Sequence, residues 1–122
     1  MAALLFCGSC NLVSHKVDLN YYGLAPLDEG GGVYFSMSKN DYSLVSRGSG
    51  QVYVSIYICS RKNSRMYYEP DFKKNINEDT IIFVDYVASQ TDVLYCAKLE
   101  TEGYNLYKYE SNIVKFRIGK SD

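Results

Sequence analysis

The ten residues QVYVSIYICS, at 51–60, alternate between two sets of side chains with a period of two. Val52, Val54, Ile56 and Ile58 fall on one face, and Tyr53, Ser55, Tyr57 and Cys59 on the other. Successive side chains of a strand point to opposite sides, whereas a helix of 3.6 residues per turn would mix the two sets. The segment reads as a strand, and the same period returns along most of the chain from residue 33 onward. Val114, Phe116 and Ile118 alternate with Lys115 and Arg117, which describes a strand with one wet face. In TIIFVDYVAS both faces are largely apolar, as in a central strand.

Short polar breaks separate these runs. Lys39-Asn40-Asp41 parts VYFSMS from YSLVSR, Arg61 to Ser64 parts the long strand from RMYYE, and Ser111-Asn112 precedes IVKFRIG. Connections of two to four residues join antiparallel neighbours. The pattern predicts a meander of at least seven strands after residue 32, with no amphipathic helix of useful length. Asp28 to Gly32 (DEGGG) reads as a loop, and Pro70 to Asp79 as a long loop or a single helical turn. Three stretches echo one another: VYFSMSKNDYSLVSR, IYICSRKNSRMYYEP and VLYCAKLETEGYNLYKY. Such repetition suits a β-trefoil. The expected fold is all-β: one antiparallel domain over residues 1–122, a β-sandwich or barrel with short hairpin turns, with a β-trefoil as the alternative.

A chain of 122 residues suits one domain. It buries roughly two-thirds of the surface its unfolded form exposes, so it needs neither metal nor disulfide to fold. Thirteen basic residues against 14 acidic ones leave a net charge of −1, with no polybasic tract. That balance argues against nucleic acid as a partner, because no cluster supplies phosphate-neutralising charge. The opening MAALLFCGSC holds a run of about five apolar residues. This is short of the roughly 7–15 of a signal-peptide core and the about 20 of a spanning helix. No membrane insertion is expected, and the protein reads as soluble and intracellular, with its four cysteines mostly free. A mature secreted form would instead allow two disulfides.

Two of those cysteines stand in LLFCGSCNLVSH. Cys7, Cys10 and His15, the sole histidine, have the C-x2-C-x4-H spacing of a zinc knuckle. The knuckle's last ligand would fall at position 20, where Asn20 stands, and no second C-x-x-C completes a zinc ribbon. A redox pair needs a helix after the cysteines, and no helical pattern follows Cys10. CGSC also resembles the papain-family stretch around its nucleophile, which would be Cys10, but Asn11 replaces the aromatic that follows and no histidine lies far downstream. The plain reading is a first strand, with Leu4, Leu5 and Phe6 in the core and the cysteines as small apolar side chains. Zinc is kept as the one candidate cofactor. A small zinc domain touching nucleic acid is the first alternative function, and an enzyme of unrecognised type the second.

Catalytic signals are sparse. A Ser-His-Asp triad could be built only around His15, and no G-x-S-x-G elbow is present. DEGGGVYF lacks the lysine and helix of a phosphate loop. Tyrosine is the suggestive excess: 13 residues, with no tryptophan. Its apolar body and polar tip suit strands and binding surfaces alike. Tyr67, Tyr68, Tyr104, Tyr107 and Tyr109 are the candidate contact residues of a non-catalytic module whose tyrosine-bearing face meets a protein partner.

Two family resemblances bear on the fold. DVLYCAK resembles the immunoglobulin variable-domain strand that carries the second disulfide cysteine, which places that role on Cys96. GSGQVYVS and MYYEPDFK are similar to other framework segments of that family. The resemblance implies a partner for Cys96 at Cys7 or Cys10. The hairpin echo and the ending NIVKFRIGKSD resemble β-trefoil cytokines, for which 122 residues is short.

Overall fold

The computed structural model describes residues 13–25, 31–47, 51–76, 79–87, 90, 92–102 and 107–118. In chain order these form β1 Val13–Val17, β2 Asn20–Leu24, β3 Val33–Ser38, α1 Lys39–Arg47, β4 Gln51–Ile58 and β5 Arg61–Tyr68. Then follow β6 Asp71–Ile76, β7 Asp79–Val84, β8 Leu94–Glu102, β9 Tyr107–Ser111 and β10 Val114–Arg117.

The strands make two open sheets. The six-stranded sheet runs β1-β9-β8-β4-β5, with β10 also paired to β8. Because β4 occupies one edge of β8 along its length, β9 and β10 share the other edge in succession. The four-stranded sheet runs β2-β3-β7-β6 and is antiparallel throughout. The result is an all-β sandwich, neither a closed barrel nor a trefoil.

The period-two reading of β4 holds. Val54, Ile56 and Ile58 face the core, where they meet Tyr95, Ala97 and Leu99 of β8 and Val33, Phe35, Ile82 and Val84 of the second sheet. Each large side chain so buried contributes about 1.5–3 kcal/mol. Rings continue through this core from Tyr68 to Tyr86, Tyr95, Phe116 and Phe35, with successive centroids 5.4, 5.7, 5.7 and 5.8 Å apart. Tyr95 is fully buried, and its hydroxyl donates to the Gln90 carbonyl at 2.7 Å and accepts from the Gln90 amide at 3.3 Å. The one polar atom of the ring is thereby satisfied.

β7 is a central strand, as its two apolar faces imply. Its outward Phe83 lies under Gly32, where a Cβ would overlap the ring. Gly32 also has φ +126°, a conformation that L side chains rarely adopt. The last glycine of DEGGG is thus needed for close approach as well as for freedom.

Five expectations are corrected. Where a turn and a strand were predicted over 39–47, the chain forms α1. Ser38 caps it, its Oγ accepting from the Asp41 amide at 3.1 Å, and Asp41 places a negative charge in the first turn. Tyr42 and Val45, three residues apart, both pack inward, a helical spacing that the alternation of YSLVSR disguised. The predicted loop over 70–79 holds β6, whose polar sequence is that of an edge strand.

The chain is also not a meander. It leaves the first sheet at Glu69-Pro70 and enters the second, at a buried proline that has no N–H for a ladder. Nor is it wholly antiparallel: β1 pairs parallel to β9, with Val13 opposite Tyr107 and Val17 opposite Ser111. The break Ser111-Asn112 is a clasp more than a turn. The Asn112 side chain accepts from the Leu19 amide at 2.8 Å and donates to its carbonyl at 3.0 Å, holding the β1–β2 connection. Ser111 Oγ accepts from the Leu99 amide at 2.9 Å.

The cysteine expectation changes too. Cys59 and Cys96 form a disulfide, Cα atoms 5.2 Å apart, so these two thiols are not free. Cys96 therefore pairs with neither Cys7 nor Cys10. The reason is parity: Tyr95 and Ala97 point inward, so Cys96 points outward, opposite Tyr57 and near the end of β4 where Cys59 follows. The bond lies within one sheet, not between two.

The candidate binding face

The outer face of the six-stranded sheet is set by the same alternation that builds the core. With Val54 and Ile56 inward, Tyr53, Ser55 and Tyr57 of β4 face out. Their cross-strand partners Glu100, Lys98 and Cys96 of β8 share that face. On the far side, Glu110 stands opposite Glu100 and Lys16 stands opposite Glu110. β10 adds Lys115, opposite Cys96, and Arg117, opposite Leu94.

Charge runs across these strands as a ladder. Lys16 Nζ lies 3.1 Å from Glu110, whose other oxygen is 2.7 Å from Lys98 Nζ, and Lys98 lies 3.7 Å from Glu100. The Glu110 hydrogen bond, more than the opposing desolvation, raises the Lys98 pKa above the ordinary lysine value. The ladder ties β1, β9 and β8 together at modest net energy, because its members remain partly wet.

At the other end, β5 brings Arg65 over the Tyr57 ring, 4.5 Å from its centroid. Tyr57 is only 4% exposed beneath it. Hydrogen bonding to Tyr67, with a smaller contribution from Tyr57, outweighs desolvation and raises the Arg65 pKa, so the guanidinium keeps its charge. Tyr67, opposite Ser55, and its neighbour Met66 are each 59% exposed. A cation fixed by one aromatic ring beside an open second ring is suited to contact, since the guanidinium is held in place before a partner arrives.

Of the five tyrosines named from sequence, the three whose side chains are described do not share one surface. Tyr67 stands on this face. Tyr68 turns inward against Tyr86, at 5.4 Å, and burial raises the pKa of both. Tyr109 packs against the core and stacks on His15 at 5.3 Å. Tyr107 is placed by backbone alone, opposite Val13, and Tyr104 lies outside the described residues. Sequence reading set Tyr53 and Tyr57 on one face but did not count them as contact residues, and it gave Arg65 no role. The signal for the tyrosines was the parity of QVYVSIYICS; Arg65 had none, because a register shift between Ile56 and Ile58 decides what it reaches.

Of the candidate zinc ligands, Cys7 and Cys10 lie outside the described residues, and His15 is half-buried in β1 beside Tyr109. Cys59 and Cys96 are bonded to each other, so neither thiol is available as a further ligand. Among the described residues no three His, Cys, Asp or Glu side chains gather as a metal ion would require. Among them, too, no helix is long and apolar enough to cross a membrane. No protein-family model, no curated protein and no solved structure matches the chain.

Proposed function

We propose that the chain is a non-catalytic binding module of immunoglobulin-like build, which contacts a protein partner through the outer face of its six-stranded sheet. The observation that carries this reading is the open Tyr67 beside Arg65, whose guanidinium caps Tyr57. Tyrosine and arginine are the residues enriched at the energetic centres of protein interfaces.

The strand order supports the immunoglobulin-like part. β2-β3-β7-β6 corresponds to strands A-B-E-D of a variable-type sandwich, and β10-β8-β4-β5 to G-F-C-C′. Tyr95, whose hydroxyl bonds the Gln90 backbone five residues upstream, is similar to the tyrosine corner of such domains, although it precedes Cys96 by one residue where that corner precedes its cysteine by two. The disulfide departs from that family's inter-sheet bridge. It favours an oxidising compartment over the reducing one expected from the N-terminus.

The test is affinity capture from source-cell extract with the wild type, Tyr67→Ala, and Tyr22→Ala on the second sheet. The Tyr67 variant is expected to lose the wild-type partner at least tenfold, with Tyr22→Ala unaffected. A partner retained by Tyr67→Ala and lost by Tyr22→Ala would move the interface to the other sheet and overturn the reading.

A further inference from the structure

We infer that β5 is an acceptor edge for an acidic, extended segment of the partner, which joins the six-stranded sheet as an added strand. The inference rests on the protein-binding reading and names the chemistry of the partner. β5 ends its sheet, and among the described residues no strand pairs with its far side. With eight residues it is the longest of the described strands that have an unpaired side, against five each for β1 and β2, six for β6 and four for β10. A free edge presents a row of backbone donors and acceptors that another chain can complete.

Proteins blunt such edges with charge, and β5 uses one sign only. Its sequence RKNSRMYY carries Arg61, Lys62 and Arg65 and no carboxylate. Those cations repel a second β5, so the feature that disfavours self-pairing also selects a strand bearing carboxylates. The register shift near Ile58 bends the Arg61 end and leaves the straight part of the edge at Arg65–Tyr68. There Met66 and Tyr67 expose apolar surface for alternate side chains of the incoming strand.

The wider face agrees. Lys115 and Arg117 extend the positive side of the charge ladder beyond its two carboxylates, while the whole chain carries −1. A basic patch on a weakly acidic protein steers an acidic partner. Single-stranded nucleic acid fits less well. Tyr57 is covered by Arg65, leaving few rings to stack bases on, and Glu100 and Glu110 would oppose phosphates.

The experiment titrates the protein with three blocked eight-residue peptides: alternating glutamate and valine, alternating lysine and valine, and the glutamate peptide with proline at its central valines. Oligothymidylate is the fourth probe. The glutamate–valine peptide is expected to bind and to protect the amides of Met66–Tyr68 from hydrogen exchange. The proline and lysine peptides should bind at least tenfold more weakly. Arg61→Glu with Lys62→Glu, two exposed side chains, should weaken the glutamate peptide by a similar factor while leaving the thermal melt unchanged. Equal binding of the proline peptide would overturn strand addition. Tighter binding of oligothymidylate, or no binding of the glutamate peptide, would overturn the acidic partner. If the peptide fails while Tyr67→Ala still loses the captured protein, this inference falls and the binding-module reading stands.

Discussion

Breaking the Cys59–Cys96 bond is expected to weaken the fold by a calculable amount. The bond closes a loop of 37 residues. In the chain-entropy treatment, a loop of that size removes about 4 kcal/mol worth of freedom from the unfolded ensemble. For a domain of this size a urea slope of about 1.5 kcal/mol/M is reasonable, so the unfolding midpoint should fall by roughly 2–3 M when the bond is lost. Equilibrium urea unfolding, followed by tyrosine fluorescence and far-ultraviolet circular dichroism, measures this with and without a phosphine reductant. Cys59→Ser with Cys96→Ser should reproduce the reduced curve without any reagent. Thiol titration of the unreduced, denatured protein checks the premise. Four reactive thiols there, or coincident midpoints after proven reduction, would refute the reasoning.

Three other outcomes are expected. Gly32→Ala should destabilise by about 2–4 kcal/mol, combining strain at φ +126° with overlap of the Phe83 ring; Phe83→Ala in the same chain should recover part of the loss, and a variant as stable as wild type in a thermal melt would contradict it. Asn112→Ala should cost about 1–3 kcal/mol by urea unfolding, because it leaves the Leu19 amide and carbonyl without their side-chain partner, whereas Asn112→Asp keeps the acceptor and should lose less. At high pH, Tyr21, Tyr68 and Tyr86, raised by burial above the ordinary 10.0, and Lys98, raised chiefly by Glu110, all hold protons more tightly folded than unfolded. Their stabilisation is complete below the unfolded values and lost as pH rises through the folded ones. The last part of the phenolate absorbance should therefore appear together with loss of circular dichroism above about pH 10; ionisation of all tyrosines in a protein still folded would exclude the mechanism.

The parts of the fold legible in sequence were those decided by local alternation. β4 and β10 each present a period of two that no helix could share, β7 presents a short apolar run on both faces, and each lies where its pattern puts it. What the sequence hid was pairing at a distance. Nothing in RMYYEPDF announces that the chain changes sheets at Pro70, and nothing local tells Cys96 that its neighbour is Cys59. α1 was hidden for a different reason: its cap, Ser38 with Asp41 three residues on, is a local signal masked by strand-like alternation on either side. The binding face lay between these cases. The outward set of β4 was visible, but which strand covers Tyr57 and which leaves Tyr67 open depends on a register shift that only the folded pair reveals.

The parallel pairing of β1 with β9 has a mechanical consequence. β10 continues from β9 along β8, so the start of β1 and the end of β10 lie toward opposite ends of one pair of rails. Tension applied at residues 13 and 118 pulls β1 and β9 lengthwise past each other, loading the whole ladder from Val13 to Val17 at once. An antiparallel terminal pair would be peeled open one bond at a time. The Asn112 clasp on Leu19 sits at the trailing end of the same rails and shares that load. Stretched between its ends in a force-extension experiment, the described fold should yield abruptly, in one high-force step; a gradual, low-force unzipping would show that the load does not pass through β1 and β9.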